Sequence, residues 1–141
     1  VEAQVDNQLI AEVTEVRNSY GRAILASAFF DDFYDAFLES SPSLRPMFAR
    51  SDLAKQKSLL REGITFLVMY AADSPTGKRK VDELASTHSR TGFAVRPEMY
   101  QLWVDSLLTA VKKHDAGFGP GLDAKWRRVL DKGISRMRQG Y

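Results

Sequence analysis

The 141-residue chain contains no cysteine. That absence excludes a disulfide framework, a cysteine-based zinc site, a thiol nucleophile and covalent heme attachment through a C-x-x-C-H motif. No apolar run reaches the length of a membrane span. The first residues, "VEAQVDNQ", carry no basic-then-apolar leader pattern, so the expected location is cytoplasmic. Neither charge dominates: 20 basic residues stand against 18 acidic ones, interspersed, for a net charge of +2. Without a basic stripe interleaved with aromatics, a nucleic-acid partner is not expected. Histidine is nearly absent as well. There are two, His88 and His114, and no H-E-x-x-H or comparable spacing. Zinc needs three or four protein ligands and finds no such set here.

What is present is helical. Hydrophobic residues make up 44% and charged residues 27%, the balance of a globular chain, and the length suits one domain over residues 1–141. Strict polar–apolar alternation is missing, whereas apolar residues recur at helical spacing almost everywhere. Val5, Leu9, Val13 and Val16 form a first stripe. A second helix carries Ala26, Phe30, Phe33, Tyr34, Phe37 and Leu38. Ser41 and Pro42 read as the cap and first residue of a short helix, and Ser51 or Asp52 as the cap of a long one. A shorter helix is expected from about Lys78 to Arg90. Pro97 opens another that reaches about His114, and a last helix starts near Leu122. The expected fold is all-α, about seven helices packed at varied angles.

Three stripes contain one polar intruder each. The long helix after Asp52 should bury Leu53, Gln56, Leu60, Gly63, Ile64, Leu67 and Ala71, of which Gln56 is the polar member. The helix near 78–90 should bury Val81, Leu84, Ala85 and His88, and Tyr34 lies within the aromatic face of the second helix. Taken singly, each has an ordinary explanation: a capping histidine, an exposed glutamine, a core tyrosine with its hydroxyl at the edge. Together, on three helices of one small domain, they point to an apolar pocket with a few convergent polar groups. An iron porphyrin needs only one protein ligand, because the macrocycle supplies four bonds to the metal. A single inward imidazole facing a tyrosine and a glutamine across an apolar slot is what a b-type heme would require.

With these residues in view, the sequence resembles the globin family, in particular the bacterial single-domain globins and the globin part of flavohemoglobins. "FYDAFLESSPSLRPMF" is similar to the family's F-Y-x-x-F/L-x-x-x-P-x-L-x-x-x-F stretch, "DLAKQKSLL" to its distal helix, "ELASTH" to its proximal helix and "RPEMYQLW" to the start of the next. Trp126 matches an aromatic common in the last helix. The resemblance implies a globin-like fold around heme b (iron protoporphyrin IX), with His88 as the iron ligand. It implies Phe48 on the porphyrin face, Tyr34 and Gln56 as donors to the distal ligand, Leu60 as a pocket wall, and Leu84, Val95 and Tyr100 on the proximal side. Two departures stand out. The connection from His88 to Tyr100 is longer than in flavohemoglobins, which leaves the partner of the second His88 nitrogen open. Where flavohemoglobins place a proximal glutamate, counting from Trp126 gives Tyr141.

The implied activity is reversible binding of O2, CO and NO at a five-coordinate iron. The alternatives are nitric oxide dioxygenase or peroxidase chemistry with a separate flavoprotein reductase, since no nucleotide-binding motif is present, and a gas-sensor domain of a longer protein. A heme-free globin-fold interaction module is disfavoured by the presence of both His88 and Phe48. Either a monomer or a homodimer is compatible with the reading. His114, near a helix end, is expected to lie in solvent and away from iron.

Overall fold

In a computed structural model, which describes the backbone of residues 2–141 and the side chains from residue 7 onward, the chain forms seven α-helices and, among the described residues, no strand. They are α1 (Glu2–Ala23), α2 (Phe29–Glu39), α3 (Leu44–Phe48), α4 (Leu53–Ala71), α5 (Pro75–His88), α6 (Pro97–His114) and α7 (Leu122–Gln139). No described helix is long and apolar enough to cross a membrane.

Local chemistry sets most boundaries. The Asp52 carboxylate accepts from the backbone N–H of Ala54 at 3.0 Å and so caps α4. Ser74 caps α5 by accepting from Gly77 N at 3.2 Å, with Pro75 in the first helical position, where a missing N–H costs nothing. The same logic starts α6 at Pro97. This moves the start of α5 from the expected Lys78 to Pro75 and its end from Arg90 to His88. Ser41 does not cap α3: the helix begins at Leu44, after Ser43, and the Ser41 and Ser43 hydroxyls bond to each other at 3.0 Å. Ala26 belongs to the turn between α1 and α2 rather than to α2. Leu53, expected inside, is 50% exposed because α4 is only beginning there. Val5 lies outside the residues whose side chains are described.

The core is built on α2 against α6 and on α4 against α5 and α7. Phe33 stacks on Phe37 with centroids 5.4 Å apart and meets Trp103 of α6 edge-on at 6.0 Å. Gly77 allows α5 to approach α4 closely, since a Cβ there would lie 2.6 Å from the Tyr70 backbone nitrogen. A buried polar knot locks α1 and α7 to the turn after α6. Trp126 Nε1 donates to Ser19 Oγ at 3.0 Å, and Ser19 Oγ donates to Asp115 Oδ2 at 2.6 Å. Arg22 Nη2 donates to the same carboxylate oxygen at 3.0 Å, and Gly117 N donates to Oδ1 at 2.8 Å. Burial works to raise the pKa of Asp115, but the hydrogen bonds from Arg22, Ser19 and Gly117 outweigh it and hold the carboxyl below its usual range.

His114 departs from expectation. Its Nε2 lies 2.6 Å from Asp32 Oδ2, its ring stands edge-on to Phe29 at 6.2 Å, and only 13% of its side chain is exposed. It ties the end of α6 to the start of α2 rather than projecting into water, because α2 and α6 pack along their length and bring the two ends together.

Candidate functional site

α2, α3 and the first turn of α4 converge on one group of side chains. The Tyr34 ring lies 6.3 Å from that of Phe48, and Phe37 lies 6.0 Å from Phe48, both edge-on. The Tyr34 hydroxyl donates to the backbone carbonyl of Gln56 at 2.8 Å. The partner is the main chain of Gln56, not its amide, which stays half-buried beside it. Burial pushes the Tyr34 phenol up to about 12, so the group is a protonated donor at any ordinary pH. Leu60, one turn further along α4, is buried. Tyr34 is thus brought against Phe48 and the main chain of Gln56, whereas His88, expected to share their pocket, has its contacts in a separate group.

The end of α5 and the following loop form a second group. Val81 and Ala85 are buried, whereas Leu84 and His88 are half-buried on the same helix. His88 Nδ1 lies 2.8 Å from the carbonyl oxygen of Leu84 and 3.0 Å from Thr87 Oγ1. A carbonyl oxygen only accepts, so the contact puts a proton on Nδ1, and in a neutral ring the lone pair then falls on Nε2. Burial lowers the pKa of the imidazole, opposed in part by the Leu84 bond, which favours the neutral ring. The carbonyl one turn back answers which group holds the second nitrogen. Neither Tyr100 nor Tyr141 is needed for it.

Val95 is half-buried and anchored to this group by its backbone N–H, which donates to His88 O at 3.0 Å. Tyr100 is buried in the first turns of α6, its phenol also pushed up to about 12 by burial. It borders a recess of about 270 Å³ between α6 and α7, with Val104, Ile134 and Arg138. The arginines of that recess are paired with acids, Arg138 with Asp131 at 2.8 Å and Arg127 with Asp105 at 2.8 Å.

Phe48, Leu84, Val95, Leu102 and Trp103 pack on the core yet stay only partly buried. The residues fit a heme in three respects: an imidazole whose Nδ1 is turned to Leu84 O, partly buried apolar side chains, and a buried tyrosine on the other group of helices. Two participants were not legible beforehand. Thr87 and Phe93 both touch the His88 ring, Phe93 edge-on with centroids 6.2 Å apart. The only sequence signal for them was the unusual length of the connection in which Phe93 lies.

The family model for globins matches residues 31–137, and the chain belongs to the globin family. Membership implies heme binding. A crystal structure of a Pseudomonas aeruginosa PAO1 protein, described as structurally highly homologous to a human hemoglobin, is 43% identical. It matches with a TM-score of 0.89 over 92% of this chain and 98% of its own. No curated relative matches the chain.

Proposed function

We propose that residues 1–141 act as one globin domain that holds heme b without a covalent link and binds O2, CO and NO reversibly. The observation that carries this reading is the contact of His88 Nδ1 with Leu84 O at 2.8 Å, which turns Nδ1 to the helix backbone and supports Nε2 as the atom that would bind iron. Heme held there supplies a metal position at which a diatomic gas binds. Phe48 and Leu60 then wall the gas side, and Leu84, Val95 and Tyr100 the His88 side. Tyr34 hydroxyl and the Gln56 amide are the donors nearest the gas. Donors placed in advance and shielded from water are effective toward charge that develops on a bound ligand. The hydroxyl has a single proton, so donating to a ligand means leaving the Gln56 carbonyl.

The test is the visible spectrum of the purified protein in the ferric, ferrous and CO-treated forms. A heme spectrum with a normal CO complex is the expected outcome. A colourless protein that takes up no added hemin would overturn the reading.

A further inference from the structure

The loop between α5 and α6 closes back on the end of α5. Phe93 N donates to Thr87 O at 2.8 Å, Val95 N to His88 O at 3.0 Å, and Gly92 N and Ala94 N each to Ser89 O at 2.9 Å. These bonds satisfy carbonyls that a helix end leaves open. The fit is tight: a Cβ on Gly92 would lie 2.2 Å from Thr87 O, so only glycine allows the approach. Ala94 adopts a left-handed φ of 53°, a conformation that persists only where its surroundings enforce it. The start of the loop is held from α7's side, where Arg90 N donates to Tyr141 O at 3.2 Å and the Arg90 guanidinium lies 5.0 Å from the Tyr141 ring centroid.

All this rigidity serves one side chain in particular. Phe93 is 71% exposed, yet its ring sits edge-on to His88 at 6.2 Å and 81°. A large apolar residue left in water, on a backbone so fully fixed, is unexplained by core packing. It is explained by what it touches. The imidazole is only half-buried, and its rotation about Cβ–Cγ is limited by the contacts of Nδ1 with Leu84 O and Thr87 Oγ1 and by this ring.

We infer that Phe93, presented by the Gly92–Ala94 turn, is a positioning residue for His88: it fixes the imidazole's orientation toward iron and covers the flank that water would reach. The inference rests on the reading of His88 as the iron ligand.

The experiment uses the heme-loaded protein. Phe93→Ala should shift and broaden the iron–histidine stretching band of the ferrous form in resonance Raman spectra. It should also speed transfer of hemin to an apomyoglobin acceptor by about five-fold, the range that an edge-on aromatic pair carries. Phe93→Tyr should restore both. Gly92→Ala, which displaces the turn without altering the ring, should reproduce the alanine phenotype. Circular dichroism should show unchanged helix content, as expected for an exposed loop residue. A Phe93→Ala band and hemin-transfer rate equal to wild type would overturn the inference while leaving the heme reading intact. A wild-type protein with no iron–histidine band would instead overturn the ligand assignment itself.

Discussion

The hydroxyl of Tyr34 donates to the backbone carbonyl of Gln56 at 2.8 Å, linking α2 to the first turn of α4. The two residues that the family resemblance paired as gas-side donors are therefore coupled through the main chain of one of them. A change at Tyr34 removes a bond to the helix that carries Gln56, and under the proposed function it also removes a donor to the ligand.

Tyr34→Phe removes that proton. A hydrogen bond to a partly charged ligand contributes roughly 1.5–3 kcal/mol, and about 1.4 kcal/mol is ten-fold, so the O2 dissociation rate should rise about ten-fold or more. CO carries less charge and should respond far less. Stopped-flow measurements of both gases decide the matter: equal effects would identify a steric role for the ring.

His88→Ala should abolish the normal ferrous–CO spectrum, and His114→Ala should leave it nearly unchanged. The second variant should nonetheless lose about 1 kcal/mol of stability in denaturant unfolding, because it breaks the contact with Asp32 that joins α6 to α2. An unchanged unfolding midpoint in His114→Ala would show that the tie between the two helices is idle. A spectral effect at 114 with none at 88 would reverse the ligand assignment.

Asp115 should contribute to stability in a way that is lost in acid. Its side chain is buried and receives hydrogen bonds from Ser19, Arg22 and Gly117, so Asp115→Ala should cost about 3 kcal/mol, the low end for breaking a buried pair, because Arg22 reaches water. The folded-state pKa is depressed, so the unfolded chain binds the proton first. The carboxylate's contribution is thus fully present above the ordinary aspartate value of about 4 and lost as pH falls through the folded value. Unfolding curves of wild type and Asp115→Asn should therefore converge below about pH 4. A gap that widens on acidification would contradict the sign.

The O2-loaded protein mixed with nitric oxide should undergo one fast turnover to ferric protein and nitrate. Further turnovers should need an added electron donor such as a flavoprotein, since this sequence offers no nucleotide-binding motif. Rapid steady consumption of nitric oxide with NADH and this chain alone would refute that. A failure of the first turnover would remove the basis for dioxygenase chemistry altogether.

The helices were legible in the sequence because their signals are local. Apolar residues recur at helical spacing along α2, α4 and α6, and Asp52 and Pro97 mark starts through bonds made or omitted within one turn. The meeting of Tyr34 with Phe48 and Gln56 was likewise readable, through a family pattern that spans α2 to α4. One error was local: Ser41 and Ser43 offer the same hydroxyl, and α3 begins after Ser43. What the tertiary structure alone decided are the partners of polar groups far apart in the chain. Ser19 meets Asp115 across 96 positions, Trp126 meets Ser19 across 107, and His114 meets Asp32 across 82. The tautomer of His88 belongs with them, although Leu84 is only four positions away. A helical histidine can bond back to that carbonyl or turn outward, and the choice depends on its surroundings. The Phe93 ring stands 6.2 Å from that of His88 only because the loop has folded back on α5.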